Sequence, residues 1–235
     1  MHIFYTPDIT DRPTYTLNEE ESQHCQRVLR LGIGDTVNLV DRKGTMFVAA
    51  IISVTKKTVV VEITNRQEQY GKRDYRLHIA IAPTKNIERF EWFLEKATEI
   101  GVDEISPICC EHSERKIIKE DRLNKIIIAA MKQSLKAYRP QLNPLRSISD
   151  LLKAETSPNK LIAHCVVDEE RKFIADLVKP AQSYLVLIGP EGDFSAKEIA
   201  LALKSGCRAV TLGASRLRTE TAGLAACFEL NHINR

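Results

Sequence analysis

No run of about 18 consecutive apolar residues occurs in these 235 residues, so no segment reads as a membrane-spanning helix. The start, Met1-His2-Ile3-Phe4-Tyr5-Thr6-Pro7-Asp8, lacks a basic flank ahead of an apolar core and does not read as a signal peptide, so the expected location is the cytoplasm. The six cysteines, at 25, 109, 110, 165, 207 and 227, form no C-x-x-C pair. They read as reduced thiols used as small hydrophobes, not as a disulfide framework. Cys109-Cys110-Glu111-His112 has metal-ligand residue types, but no second pair stands at zinc spacing. His112-Ser113-Glu114 likewise lacks the downstream Pro-Cys-x-x-Cys of a zinc deaminase, and no metal is expected. Aromatics make up only 6%, with Trp92 the single tryptophan, and there is neither an internal repeat nor a low-complexity tract.

A large excess of one charge is also missing: 34 basic against 31 acidic residues leave +3. The excess is uneven, however. Residues 1–72 hold nine of each sign, whereas residues 112–146 hold nine basic and three acidic residues, a local +6. Such a cluster is the footprint that phosphate-backbone binding leaves, and a solvated helix face looks the same. What is present in quantity, 43% hydrophobic and 28% charged side chains, is the composition of a globular chain with material for one large core or two small ones.

Residues 1–72 read as β-rich. Segments 36–40, 45–54 and 58–63 are dense in Val, Ile, Thr and Phe, and Asp41-Arg42-Lys43-Gly44 and Thr55-Lys56-Lys57 separate them as short connections. A small β-barrel or sandwich is predicted, preceded by a helix over 19–30 and followed by a polar linker over 65–73. From Leu77 onward, aliphatic runs at 77–82, 105–109, 161–166, 184–189 and 209–212 alternate with helical periodicity, the pattern of an α/β domain with a mainly parallel sheet. Ile87, Phe90, Leu94, Ala97 and Ile100 lie on one helical stripe, with Gly101 placed to cap it. A second helix over 121–137 sets Leu123, Ile126, Ile127, Ala130, Met131, Ser134 and Leu135 on one stripe and Lys125, Lys132 and Lys136 on a basic outer face. Segment 142–158, interrupted by prolines, reads as a broken connection.

Two strand-to-helix loops carry the chemical signal. Leu187-Ile188-Gly189-Pro190-Glu191-Gly192-Asp193-Phe194-Ser195 runs from a buried strand into a tight turn, and Ser195 with Glu198 has capping-box spacing. The turn is neither a Walker loop nor G-x-G-x-x-G. Leu212-Gly213-Ala214-Ser215-Arg216-Leu217-Arg218 leads into a helix opening at Thr219-Glu220. Two such loops can wall one pocket at the carboxyl edge of a sheet, where ligands of α/β proteins bind. His164-Cys165 ends another strand near that edge.

Ile188-Gly189-Pro190-Glu191-Gly192, Leu212-Gly213 and Leu217-Arg218-Thr219-Glu220-Thr221-Ala222 together resemble the RsmE family of SPOUT methyltransferases, which methylate N3 of a uridine in 16S ribosomal RNA. His24-Cys25-Gln26-Arg27-Val28-Leu29-Arg30-Leu31, Lys96-Ala97-Thr98-Glu99-Ile100-Gly101-Val102 and Ser113-Glu114-Arg115 resemble further segments of that family, so the likeness covers nearly the whole chain. It implies a SPOUT-type α/β fold with a parallel sheet and a C-terminal deep trefoil knot over 73–235, after a PUA-like β-barrel for RNA binding over 1–72. It also implies S-adenosylmethionine as cofactor, a homodimer, and 16S ribosomal RNA or the small ribosomal subunit as partner. The cofactor would be held by Leu187, Gly189, Pro190, Glu191 and Gly192 of the first loop. Leu212, Gly213, Ser215, Leu217, Arg218 and Thr219 of the second would complete the site.

Uridine N3 carries a weakly acidic proton, so methyl transfer needs a base or a cation that stabilises the anion. The resemblance makes Arg218 the candidate for the uracil carbonyls, with Glu220 or Glu191 as proton acceptor. Phosphates would meet Arg27 and Arg30, with Arg42 and Lys43, on the first domain. Arg115, Lys116, Arg122, Lys132, Lys136 and Arg139, with Lys119 and Lys125, would serve on the basic stretch. Two departures from the family pattern stand out: Asp193 where a second glycine is usual, and Lys132-Gln133-Ser134-Leu135-Lys136 in place of Glu-Gln-Ser-x-Arg. The alternatives are a non-catalytic RNA-binding protein of ribosome assembly and a SPOUT methyltransferase acting on another RNA site.

Overall fold

The computed structural model describes residues 2–166 and 171–235. They form two compact units: residues up to 72 together with 131–139, and residues 73–130 together with 140–235. The first unit contains β1 (Ile3–Tyr5), β2 (Thr14–Thr16), α1 (Glu19–Gln23), a π-helical turn (His24–Val28), β3 (Thr36–Val40), β4 (Met46–Val54) and β5 (Val59–Gln67). The sheet order is β1-β3-β4-β5-β2, antiparallel except for β1 beside β3. Two register shifts in the β4–β5 ladder, at Val48/Ala49 and Ile51/Ser53, add twist and curl the sheet around Phe4, Leu39, Phe47, Ile51 and Val61. Strands β1 and β2 are its edges. Among the described residues it is a curled five-stranded sheet, where a small β-barrel or sandwich was expected.

The second unit runs β6 (Leu77–Ile81), α2 (Ile87–Ile100), β7 (Glu104–Cys109), α3 (Glu120–Gln133), β8 (Gln141–Leu142), β9 (Arg146–Ser147) and α4 (Ile148–Ala154). It continues through β10 (Lys160–Ala163), β11 (Lys172–Phe173), α5 (Ile174–Leu177), β12 (Tyr184–Ile188), α6 (Ala196–Lys204), β13 (Cys207–Thr211) and α7 (Thr219–Ile233). All its ladders are parallel, in the order β11-β13-β10-β12-β6-β7-β8. Alternate residues of one strand bury against opposite layers. Leu77, Ile79 and Ile81 of β6 pack with Phe90, Phe93 and Leu94 of α2 and Leu230 of α7, while Ala80 faces Leu151 and Ala202 of α4 and α6. Burial on both faces explains why these strands read as unbroken apolar runs. The expected α2 is present with Gly101 as its left-handed cap at φ 117°. The expected broken connection contains α4, which Ser147 caps by accepting from the Asp150 N–H.

Three boundaries differ from the sequence reading. The helix expected over 19–30 leaves α geometry after Gln23 and continues as the π-helical turn. The first three residues of the expected linker, 65–67, are the end of β5, where side chains are exposed throughout, so no apolar alternation marks a strand. Helix α3 ends at Gln133, short of 137. Leu135 takes φ 57°, and Met131 and Ala137 bury with Ile3, Val40 and Met46 of the first unit. Tyr138 fills the space beside Gly44, where a Cβ would lie 2.0 Å from its ring. Lys132, expected on a basic outer face, pairs instead with Glu21 at 2.7 and 2.9 Å, both side chains being largely buried.

At the amino edge of the parallel sheet, buried His78 lies with Nδ1 3.3 Å from Glu155 Oε2 and Nε2 2.8 Å from Ser106 Oγ. The hydrogen bond from His78 holds the Glu155 carboxyl down at about 2, below its usual 4.5. A carboxylate depressed in the folded state stabilises the fold above its unfolded pKa, and that stabilisation is lost as pH falls through the folded value. The stability gap between the natural chain and Glu155→Gln is therefore expected to stay level above about pH 5 and to close between about 4.5 and 2. Urea melts across that range check this, and a gap that does not change with pH would contradict it.

Candidate active site

Strands β13, β10 and β12 are neighbours, so the loops leaving their carboxyl ends converge. They wall two compartments. The smaller, about 250 Å³, is lined by Ile188, Gly189, Pro190, Glu191, Leu217, Arg218 and Thr219 among others. The larger, about 790 Å³, is lined by Leu212, Gly213, Ala214, Ser215, Leu217, Arg171 and Phe173 among others. Ala163, Cys165, Asp193, Arg216, Leu217 and Ala222 belong to both linings, which makes the compartments one cleft.

Local sequence explains how the loops are held. Ser195 and Glu198 form the expected capping box: Glu198 Oε2 accepts the Ser195 N–H at 2.8 Å, and Ser195 Oγ accepts the Glu198 N–H at 3.4 Å. Gly189 is needed for close approach, since a Cβ there would lie 3.1 Å from the Phe194 ring. Gly213 has φ 121° and nothing within 4 Å of where a Cβ would project, so the backbone is open towards the cleft. Glu191 Oε1 accepts the Lys85 N–H at 2.9 Å. The Arg115 guanidinium in turn donates to the carbonyls of Thr84 and Lys85 at 2.9 and 2.6 Å, fixing the loop after β6.

Of the expected cofactor residues, Gly189, Pro190, Glu191, Leu212, Gly213, Ser215, Leu217, Arg218 and Thr219 line the cleft. Leu187 does not. It is fully buried beneath α6 in the layer that contains Phe194 and Ala202. Gly192 turns the other way and packs on His112, whose Cβ is 3.0 Å from where a Cβ of Gly192 would stand. Arg218 is exposed at the N-cap of α7, and its carbonyl accepts the Ala222 N–H at 2.8 Å. Glu220 is only 6% exposed and lies outside both linings, with Oε1 3.9 Å from Arg89 Nε. Arg171 and Phe173 are lining residues that sequence reasoning passed over, while Asp193 and Arg216 stood in the two quoted loops but were assigned no place in the site. Only the adjacency of β10, β12 and β13 brings the four together. Cys165 also lines the cleft; partial burial first, then the Asp193 carboxylate, push its thiol up.

The basic residues divide into engaged and exposed groups. Arg115 is spent on loop carbonyls, Arg122 pairs with Glu91 at 2.6 Å, and Lys132 pairs with Glu21. Lys136 and Arg139 are half-buried. Lys116, Lys119 and Lys125 are exposed or half-exposed on the second unit, and Arg27, Arg30, Arg42 and Lys43 are exposed on the first.

A parallel α/β sheet whose carboxyl edge carries a cleft of nucleoside-holding size, attached in sequence to a small β unit, defines a two-part ligand-binding protein of the α/β class. The RNA methyltransferase domain family matches residues 71–231, and the RNA methyltransferase PUA domain family matches residues 17–64. The chain belongs to the RNA methyltransferase domain family, in the group of ribosomal RNA small subunit methyltransferase E. The protein of that name from Buchnera aphidicola is 27% identical over 235 residues, covering 97% of this chain and 91% of the relative. A probable rRNA-methyltransferase of Porphyromonas gingivalis superposes with TM-score 0.92 at 43% identity, covering 100% of this chain and 98% of that one. The ribosomal RNA small subunit methyltransferase E of Neisseria gonorrhoeae, bound to S-adenosyl methionine, superposes with TM-score 0.88 at 28% identity, covering 100% and 98%.

Proposed function

We propose that this chain transfers the methyl group of S-adenosylmethionine to N3 of a uridine in 16S ribosomal RNA. The observation that carries the reading is the two-compartment cleft at the ends of β10, β12 and β13, with Arg218 at its wall. The residues present fit the cofactor. Ile188, Pro190 and Leu217 offer apolar walls for an adenine, and Gly213 leaves its backbone open to hydrogen bonding. When bound, S-adenosylmethionine supplies a methyl group made electrophilic by its sulfonium. Leu217 and Ala222 border both compartments and give their junction an apolar wall.

Arg218 is the residue assigned to the uracil. No ion pair engages its guanidinium among the described residues, so its donors are available to the carbonyl oxygens that gain charge as N3 loses its proton. Of the two carboxylate candidates for that proton, Glu191 lines the cleft, whereas Glu220 is buried beside Arg89. Glu191 is therefore the proton acceptor of choice. The exposed cations Arg27, Arg30, Lys116, Lys119 and Lys125 supply the phosphate contacts, with the first unit as RNA-holding domain. The ladder order, with β13 inserted between β10 and β11 although it follows both in sequence, suits a C-terminal segment threaded as a trefoil knot. A cytoplasmic homodimer completes the reading.

Mass spectrometry of 16S ribosomal RNA from cells with and without the gene tests it. Loss of 3-methyluridine is expected, and loss of a different modified base would redirect the assignment to another RNA site. Calorimetry separates the enzyme from a non-catalytic assembly factor: a purified protein that binds no S-adenosylmethionine would sink the enzyme reading.

A further inference from the structure

Asp193 sits where the backbone has φ 64°, a left-handed conformation that glycine adopts freely and aspartate only reluctantly. Its side chain accounts for its presence there. Oδ2 accepts the Cys165 N–H at 2.7 Å, and Oδ1 accepts the Phe194 N–H at 2.8 Å. The backbone is held as well, the Asp193 N–H donating to the Pro190 carbonyl at 2.9 Å while the Asp193 carbonyl accepts from His112 Nδ1 at 3.0 Å. Strands β10 and β12 are paired through Ala163 and Ile188. Beyond that pair the ladder ends, and the bond from Cys165 to Asp193 continues the connection out over the cleft.

We propose that the Asp193 carboxylate is a latch that fixes the width of the cofactor cleft by tying the loop after β10 to the loop after β12. The proposal rests on the reading of this cleft as the S-adenosylmethionine site. Asp193 and Cys165 both belong to the two compartment linings, so the bond lies where the compartments join. A hydrogen bond to a carboxylate is stronger than one to a neutral acceptor. It holds the walls at binding distance before the cofactor arrives, so less ordering remains to be done on binding. His112, held between the Gly192 and Asp193 carbonyls, braces the turn from the opposite side.

The side chain and the backbone make opposite demands at position 193, which makes the latch testable on the full chain. Asp193→Gly relaxes the backbone and removes the latch, whereas Asp193→Asn retains an oxygen that can accept from Cys165. With thermal melts verifying that both variants fold, S-adenosylmethionine affinity is read by calorimetry and exchange of the Cys165 amide by hydrogen–deuterium exchange without cofactor. Loss of one charge-assisted bond predicts that Asp193→Gly weakens binding by about tenfold or more, and that the amide exchanges faster by a similar factor. Asp193→Asn is expected to recover part of the loss on both readings: its one amide oxygen can still accept from Cys165, while the NH2 that replaces the other oxygen cannot accept from Phe194. If Asp193→Gly binds as tightly as the natural chain, or more tightly, position 193 serves only the turn and the proposal falls. Equal weakening by both variants would also overturn it, pointing to the negative charge and not to the tie. Failure of the natural chain to bind S-adenosylmethionine would refute the cofactor reading instead, and the exchange measurement would still judge the latch.

Discussion

Gly223→Val is expected to destabilise the α/β unit by about 3 kcal/mol or more, the upper end of what overpacking a core costs. Gly223 lies on α7 where it crosses α2. A Cβ there would stand 2.6 Å from Phe93 Cε2, 2.9 Å from Ile81 Cδ1 and 3.0 Å from Phe93 Cδ2. Neither neighbour can retreat easily. Phe93 and Ile81 are fully buried in the layer that also holds Ile79, Phe90 and Leu94, and close-packed interiors transmit such strain instead of absorbing it. Glycine carries a helix-propensity penalty of about 1 kcal/mol relative to alanine, so an alanine recovers part of the packing loss and a valine, with branching at Cβ, recovers little. Urea denaturation should rank the natural chain above Gly223→Ala and that above Gly223→Val. Phe93→Leu combined with Gly223→Val should lose less than the sum of the two, because the leucine vacates the space the valine needs. An unchanged midpoint for Gly223→Val would mean that α7 is not seated on α2 as described.

Arg218→Ala is expected to lower kcat for RNA methylation by about 10²–10³-fold, the usual effect of removing one donor that stabilises developing charge. Affinity for S-adenosylmethionine should stay within about threefold, since only a donor used in the transition state is lost and ground-state binding is nearly untouched. Folding stability should barely move, because the side chain is exposed and makes no capping bond to α7. Arg218→Lys should recover only part of the rate: it restores a point charge but not a planar pair of donors matched to two carbonyl oxygens. Full methyl transfer by Arg218→Ala with unchanged RNA affinity would remove Arg218 from the mechanism. The split between kcat and cofactor affinity distinguishes this role from that of Asp193, whose loss acts on binding.

The elements legible from sequence were those whose signal is local. Helix α2 announced itself through a five-residue stripe and Gly101, and α6 through Ser195 and Glu198. Strands β6, β7 and β12 announced themselves through apolar runs made by burial on both faces. Elements that depend on distant partners were not legible. Strands β1 and β2 are three residues each and exist through pairing with β3 and β5. Helix α4 is seven residues inside a proline-rich stretch. The end of α3 is set where Met131 and Ala137 bury against Ile3 and Met46, which no helical periodicity foretells.

The same division runs through the site. Loop motifs alone located the cleft on Gly189, Pro190, Leu212, Gly213 and Leu217, since turn chemistry and strand ends are written in neighbouring residues. The +6 stretch, by contrast, looked uniformly available, and folding spends Arg115, Arg122 and Lys132 on structure. By itself the sequence determined the α/β class with a parallel sheet, the family and the two loops that make the cleft, because each is encoded in short-range pattern. Only the tertiary structure decided that Glu220 is buried beside Arg89, that Leu187 faces α6, and that Asp193 reaches the Cys165 amide. Those outcomes depend on which strands lie side by side, and the order β13-β10-β12 brings together residues far apart along the chain.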